Sequence, residues 1–160
     1  MLVFRIVTRK QVATALTGEG ARRYGGRWNF KGAAVVYTAG TRALALLEML
    51  VQDQPLRAEY TVLPVELPPS IEVAHISLDR LPKNWPESGD LEPTRAIGAQ
   101  WLHEAKTAVL RVPSPVVPSE FNYLLNPAHS KFVRIRIGRV EKLSIDLRLI
   151  QRFATNKSTA

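Results

Sequence analysis

One carboxylate lies in an otherwise apolar segment, "TRALALLEML" at residues 41–50. Thr41 suits the N-cap of a helix, and Glu48 then has apolar Leu44 four residues before it and apolar Val51 three residues after it. A surface helix gathers its polar residues on one stripe, so an acid without such a stripe is expected to be buried or to lie at the floor of a cleft. Because an unpaired buried charge is costly, Glu48 needs a partner or a chemical task.

Three other side chains could share a site with Glu48. Arg27 follows two glycines in "YGGRWN", where the backbone allows close approach and the guanidinium fork suits a phosphate or a carboxylate. Tyr37 ends a predicted strand, and strand ends are favoured positions for ligand contacts. Ser114 lies between two prolines that stiffen the backbone and aim its hydroxyl. Each also has an ordinary explanation: a solvated turn arginine, a core tyrosine and a turn serine.

The composition excludes several classes of chemistry. The chain has no cysteine and three scattered histidines, so neither disulfides nor a thiolate site is expected, and no metal is predicted. It has no G-x-G-x-x-G or P-loop pattern and no convincing Ser-His-Asp order. It also shows no long apolar run and no N-terminal leader, which predicts neither a membrane span nor a signal peptide. The cytoplasm is the expected location.

The net charge of +8 is compatible with binding to a polyanion or to an acidic protein. The basic residues are spread along the chain, with a mild concentration in "KFVRIRIGRVEK" at residues 131–142. Alternation of apolar and basic residues there predicts a strand over 132–137 with one solvated basic face. We favour this interpretation over a nucleic-acid groove, because no binding motif accompanies the charge.

The candidate site residues must be positioned by strands and helices, and these alternate irregularly along the sequence instead of in a strict βαβ order. Strands are predicted at 2–7, 33–39, 60–68 and 72–78, and a further strand ends at Val112. The Glu48 helix stops near Pro55, and a second helix starts at Pro93. Three prolines after Val112 are expected to take the chain out of the sheet or to its edge. This order predicts a single mixed α+β domain over residues 1–154, with a frayed tail at 155–160.

The arginine after Gly-Gly, the strand-end tyrosine, the acid and the proline-flanked serine together resemble the RES domain family. This family is named after an Arg, a Glu and a Ser, and its members are mostly toxins of bacterial toxin–antitoxin pairs. The matching stretches are "GGRWNFKGAAVVYTAGTRALALLEML" and "LRVPSPVVPSEFNYLLNPAH", and "FRI" is similar to the family's start. The resemblance covers about residues 2–150. It implies an ADP-ribosyltransferase-like fold, with a mixed sheet core and flanking helices, that binds NAD+ and breaks its nicotinamide–ribose bond.

The family's four signature side chains map onto four positions of this sequence: Arg27, Tyr37, Glu48 and Ser114. Arg5 falls where such folds often place a further NAD-contacting arginine. Asn122 and Asn126 belong to the second motif, but loop capping explains them equally well, and we leave them out of the predicted site.

The resemblance assigns a role to each of these residues. Glu48 would stabilise a ribosyl cation as the bond breaks, and Arg27 with Arg5 would hold the pyrophosphate. Tyr37 would stack on the nicotinamide ring or bond it through its hydroxyl, and Ser114 would orient Glu48 or a ribose hydroxyl. The acceptor stays open among water, phosphate and a protein side chain.

The leading hypothesis is therefore a toxin that depletes NAD+ by hydrolysis or phosphorolysis. A protein ADP-ribosyltransferase built on the same residues is the first alternative. A basic nucleic-acid-binding module, in which Glu48 is only a structural acid, is a distant second.

The resemblance also implies a cognate antitoxin with an Xre-type helix-turn-helix domain, whose chain blocks the NAD+ cleft. DNA contact would then come through the antitoxin, and the positive charge would suit an acidic partner surface. A homodimer is left open, because one sequence shows no seam for it.

Overall fold

Eight strands form one sheet in the computed structural model, which describes residues 1–52, 59–146 and 148. The strands are β1 (Leu2–Thr8), β2 (Val36–Ala39), β3 (Tyr60–Glu66), β4 (Val73–His75), β5 (Val109–Pro113), β6 (Phe121–Leu125), β7 (Arg136–Ile137) and β8 (Glu141–Lys142). The helices are α1 (Glu19–Tyr24), α2 (Arg42–Gln52) and α3 (Glu92–Glu104), with 3-10 turns at Arg9–Thr14, Leu78–Arg80 and Ser130–Arg134. The predicted single mixed α+β domain is confirmed.

The sheet has a weak seam at its centre. Its order is β4–β5–β6–β2–β1–β3–β7, with β8 also paired to β3, and β4 with β5 is the parallel pair. β1 pairs with β3 along its whole length, from Leu2 opposite Glu66 to Thr8 opposite Tyr60. With β2, in contrast, β1 pairs only through Phe4 and Ala39. The two central strands therefore part beside this contact.

Apolar residues cover both faces of the sheet. One face packs under α2 and α3, where buried side chains include Trp28, Leu44, Trp85, Trp101, Leu110 and Leu124. The opposite face buries a set of strand residues: Val3, Val36, Val65, Val109 and Leu125. Successive side chains of an extended chain point to opposite faces, so the run "VVY" at residues 35–37, which leads into β2, supplies both cores.

Helix α2 begins as the sequence predicts. Thr41 accepts a hydrogen bond on its hydroxyl from the Leu44 amide at 3.0 Å, which confirms it as the N-cap. The helix is described as far as Gln52, and the predicted stop at Pro55 lies outside the described residues. Leu44 is fully buried against the sheet, whereas Val51 is 65% exposed. Glu48 lies between these two environments and is half-buried.

Two segments differ from their predicted structure. The predicted strand at 132–137 is wrong: a 3-10 turn occupies Ser130–Arg134, and only Arg136–Ile137 pairs in the sheet. His129 accepts the Lys131 amide on its ring nitrogen and starts this turn, so the alternating sequence winds instead of extending. Phe121–Leu125 was not predicted as a strand, yet as β6 it lies between β2 and β5.

The other predicted strands, and the helix after Pro93, are confirmed within a few residues. The predicted tail at 155–160 lies outside the described residues. None of the described helices combines the length and apolar character that crossing a bilayer requires.

Helix α3 packs closely against the segment that follows the Gly-Gly pair. Thr94 donates its hydroxyl proton to the Arg27 carbonyl at 2.6 Å. A Cβ atom added at Gly98 would lie 1.8 Å from the Trp28 carbonyl oxygen, so only glycine permits this approach. α3 thereby fixes the backbone that carries Arg27.

We expect Gly98→Ala to lower the free energy of unfolding by about 2–3 kcal/mol, because the added methyl group overlaps a backbone carbonyl. Urea denaturation of the purified protein measures this change. Gly20→Ala in α1 is the matched control, since a Cβ atom there meets no heavy atom within 4 Å, and alanine favours the helix. Equal stability of the two variants would show that α3 can shift away from Trp28.

Candidate functional site

Two adjoining cavities lie where β1 and β2 part. We call the smaller cavity, with a volume of about 240 Å³, the inner cavity, and the larger, with about 580 Å³, the outer cavity. Five side chains line both: Arg5, Tyr37, Glu48, Gln52 and Asn122. Because they share these walls, the two cavities form one cleft, and its size is that of a small-molecule or cofactor site.

Glu48 projects into this cleft from α2. One of its carboxylate oxygens accepts hydrogen bonds from the protein, and the other is free to bind a ligand. Oε1 accepts hydrogen bonds from the Ser114 hydroxyl, at 2.8 Å, and from the Asn122 side-chain amide. Within the described part of the chain, no group donates to Oε2. The two donors are neutral, so they orient the carboxylate without cancelling its charge. The carboxylate therefore has one oxygen available to a ligand in the cleft.

Ser114 is aimed at Glu48 by its own turn. Its hydroxyl oxygen accepts the amides of Val116 at 3.0 Å and Val117 at 3.1 Å, which leaves the hydroxyl proton directed to Oε1. The side chain is completely buried, with prolines on both sides. Ser114 therefore does not line the cleft, and it orients Glu48 through the hydrogen bond to Oε1.

Tyr37 presents its ring, and not its hydroxyl, to the cleft. The hydroxyl donates to Asn29 Oδ1 at 2.7 Å and accepts the Trp28 amide at 3.0 Å. Burial raises the pKa of this hydroxyl well above its ordinary value, so it stays protonated. A Cβ atom at Gly26 would lie 2.5 Å from the hydroxyl oxygen, which explains one of the two glycines. Of the two predicted contacts of Tyr37, stacking is the one its ring remains available for.

Arg5 bridges the seam between the two central strands. It donates from Nη1 to the Tyr37 carbonyl at 2.7 Å, where a backbone ladder would otherwise continue. Its Nε is buried and has no partner among the described residues. Burial lowers the pKa of Arg5, although an arginine remains charged at any working pH. β1 therefore places one permanent cation in the cleft that Glu48 also lines.

Arg27 lines the outer cavity but is partly occupied elsewhere. Its two terminal nitrogens donate to the carbonyls of Trp85 at 2.8 Å and Pro86 at 3.3 Å, and its guanidinium carbon lies 5.7 Å from the Trp85 ring centre. Burial lowers the pKa of Arg27, and the charge of Glu48 opposes that shift. Arg27 thus joins the segment around Trp85 to the cleft and keeps part of its donor capacity for a ligand.

The structure brings the predicted residues to one place. Arg5, Arg27, Tyr37 and Glu48 line the outer cavity, and Ser114 bonds to Glu48. Their chemical roles stay predictions.

Sequence reasoning missed two contacts at this site. Asn122 belongs to the second motif but is outside the predicted site; in the structure it lies on β6 and donates to Glu48. The capping explanation holds for Asn126, whose side chain accepts the Ala128 amide at 3.0 Å. Arg95 on α3 also lines the outer cavity, and its Nε donates to the Gly26 carbonyl at 2.9 Å. The second motif contained a signal for Asn122, whereas nothing in the sequence singled out Arg95.

Among the described residues, no group of three or more His, Asp or Glu side chains is arranged to hold a metal ion. The charged groups of the cleft are one carboxylate and three arginines: Glu48, Arg5, Arg27 and Arg95. This set suits an anionic ligand that also carries a positive or electron-poor centre.

The fold and the cleft together define a one-domain α+β protein with a candidate enzyme site around a single acid. The RES domain family matches residues 2–147, and the chain belongs to that family. The family resemblance drawn from the sequence is therefore confirmed.

Known relatives of the chain are toxins. Toxin Res of Yersinia enterocolitica is 42% identical over 138 residues, covering 82% of this chain and 88% of that protein. The Prs ADP-ribosylating toxin of Sphingobium sp. is 41% identical over 162 residues, covering 93% and 96%. A chain of the M. tuberculosis MbcT–MbcA toxin–antitoxin complex has the same fold, with a TM-score of 0.77 at 18% identity, covering 96% of this chain and 88% of that one.

Proposed function

We propose that this RES-family toxin binds NAD+ in the cleft and breaks the bond between nicotinamide and ribose, which depletes NAD+ in the cell. The observation that carries the proposal is the state of Glu48. Its Oε1 is held by two neutral donors, and its Oε2 is left to a cleft that three arginines also line. A structural acid would be expected to use both oxygens within the protein.

The chemistry explains why such an acid is useful. Cleavage of the nicotinamide–ribose bond passes through an oxocarbenium-like ribosyl cation. A fixed carboxylate beside that centre stabilises the positive charge as it develops, and it can also accept a hydrogen bond from a ribose hydroxyl. Ser114 and Asn122 hold Glu48 before the substrate arrives, so little reorganisation is needed when the bond breaks.

The arginines and the tyrosine would position the dinucleotide around this centre. Arg27 and Arg5 would contact the phosphate groups through the guanidinium hydrogens that their bonds to backbone carbonyls leave free. The ring of Tyr37 is available for a contact with the electron-poor nicotinamide ring, because its hydroxyl is already satisfied.

Tyr37→Phe removes the hydroxyl and keeps the ring, so it distinguishes the structural role of the hydroxyl from the role of the ring in binding. We expect the variant to lose about 1–3 kcal/mol of unfolding free energy, because a buried acceptor on Asn29 and a buried amide at Trp28 lose their partner. We expect kcat per folded molecule to stay within about threefold of wild type, while Tyr37→Ala loses activity as well. Urea denaturation and nicotinamide release measure the two quantities. A large fall in kcat for Tyr37→Phe would assign the hydroxyl to the reaction.

Protein ADP-ribosylation is the second candidate, favoured by the Sphingobium relative, a Prs ADP-ribosylating toxin with 41% identity. The two candidates share bond cleavage and differ in the acceptor. An antitoxin partner is proposed with either, supported by the fold shared with a chain of the MbcT–MbcA complex. Its Xre-type domain, the homodimer and the cytoplasmic location remain proposals from the resemblance.

One experiment separates these possibilities. The purified protein is incubated with NAD+ labelled in its adenosine diphosphate half, with and without inorganic phosphate, and then with a cell lysate. Free ADP-ribose indicates hydrolysis, a phosphorylated ADP-ribose indicates phosphorolysis, and label retained on a protein indicates ADP-ribosylation. Absence of nicotinamide release in all three reactions would overturn the proposal. Salt-dependent DNA binding without turnover would then favour a nucleic-acid-binding module.

A further inference from the structure

One end of the outer cavity is lined by residues that do not line the inner cavity. The reacting end is marked by the five residues that line both cavities, and Tyr24 and Arg95 line the outer cavity without being among them. Both are connected to the Gly-Gly segment: Tyr24 is the last residue of α1, directly before Gly25, and Arg95 donates to the Gly26 carbonyl. The far end of the cleft is thus built from α1, the glycine pair and α3.

Tyr24 offers an open aromatic surface at this end. Its side chain is 75% exposed, more than the other exposed aromatic residue of the described chain, Phe30, at 36%. An aromatic ring at the wall of this cleft, with no aromatic partner among the described residues, is a platform on which a base can stack.

Arg95 has more of its hydrogen-bond donors free than Arg27. Its Nε bond to Gly26 fixes the plane of the guanidinium group, and neither terminal nitrogen has an acceptor in the described ranges 1–52 and 59–146. Arg27, in contrast, uses both terminal nitrogens on the Trp85 and Pro86 carbonyls. A guanidinium fork that is fixed and unoccupied suits two oxygens of a pyrophosphate.

We infer that the Tyr24 and Arg95 end of the cleft binds the adenosine diphosphate half of NAD+. Arg95 contacts the pyrophosphate, and the ring of Tyr24 stacks on the adenine. This inference rests on the proposed function, since it orients the same substrate with its nicotinamide ribose at Glu48. It makes Tyr24 and Arg95 the residues that distinguish a dinucleotide from smaller nicotinamide compounds.

Three substrates with the same scissile bond test the inference: NAD+, nicotinamide mononucleotide, which lacks the adenosine and one phosphate, and nicotinamide riboside, which lacks both phosphates. Nicotinamide release gives kcat/KM for each substrate with the purified full-length chain. Tyr24→Ala should lower kcat/KM for NAD+ by about tenfold or more and leave the ratio of mononucleotide to riboside as in wild type. Arg95→Gln should lower the values for NAD+ and the mononucleotide relative to the riboside.

Matched variants control for ring and charge. Tyr24→Phe keeps the stacking surface and should keep the preference for NAD+. Arg22→Gln removes a cation of α1 that is bonded to Glu19 and does not line the outer cavity, so the substrate ratios should stay as in wild type. If wild type cleaves NAD+ but Tyr24→Ala and Arg95→Gln leave all three ratios unchanged, the inference is wrong and the proposed function stands. If wild type cleaves none of the three substrates, both are wrong.

Discussion

Glu48→Gln is expected to keep the fold and to lower NAD+ cleavage by at least about a hundredfold. Glutamine has nearly the shape of glutamate, and its amide oxygen can still accept the Ser114 and Asn122 hydrogen bonds. The packing around α2 should therefore persist. What the variant lacks is the negative charge that the ribosyl cation requires in the transition state. Single-turnover release of nicotinamide measures the loss.

The control for this variant is an acid outside the cleft. Glu72 is exposed and lines neither cavity, so Glu72→Gln removes the same charge without touching the site. Circular dichroism and urea denaturation establish that both variants fold. In cells, expression of wild type without antitoxin should arrest growth and lower NAD+, while the Glu48→Gln variant should be tolerated. NAD+ turnover by Glu48→Gln at the wild-type rate would remove Glu48 from the reaction.

Asn122→Asp is expected to make activity dependent on pH in a way that wild type does not show. The aspartate would face Glu48 at hydrogen-bond distance, and two carboxylates in contact share one proton because they cannot both ionise freely. This raises the apparent pKa of the pair. At a pH below that value, the protonated side chain donates to Glu48 as the native amide does. Above it, the proton is lost, the carboxylates repel each other and activity should fall by about tenfold or more.

A pH profile of kcat tests the donor role directly. Asn122→Ala removes the donor without adding a titratable group, so its activity should be low at every pH tested. Recovery of Asn122→Asp activity toward low pH, absent from Asn122→Ala, identifies the hydrogen bond to Glu48 as the function of this side chain. Parallel profiles for both variants would make Asn122 a packing residue only.

Much of the fold could be predicted because its strands are apolar and its helices have clear boundaries. Thr41 and Pro93 mark helix starts by local chemistry that does not depend on the rest of the chain. β6 was missed because Pro113, Pro115 and Pro118 suggest a chain leaving the sheet, and the chain does leave it, but returns as the next strand. The turn at 130–134 was missed because Val133, Ile135 and Ile137 alternate with arginines as in a strand. The residues that pack on the core are instead Phe132 and Ile135, which are three positions apart.

The site was predictable where residues lie within one motif and not where distant segments meet. Ser114 and Glu48 could be placed together only by family resemblance, since they are 66 positions apart and joined by one hydrogen bond. Arg95 and Gly26 are 69 positions apart, and their contact depends on how α3 packs. Asn122 is part of a recognised motif, but asparagine is equally suited to capping a loop and to donating a hydrogen bond to Glu48. Only the structure shows that it lies on β6, opposite Ala39 of β2.

Between β1 and β2, the hydrogen-bonded connection of the two halves of the sheet is reduced to one residue pair and one arginine side chain. The cleft lies along this division, so any molecule that fills it contacts strands of both halves. A bound molecule then connects the two halves of the sheet, and its binding free energy raises the free energy of unfolding of the domain. A protein that inserts a segment there would protect the toxin from proteolysis in the same event that silences it.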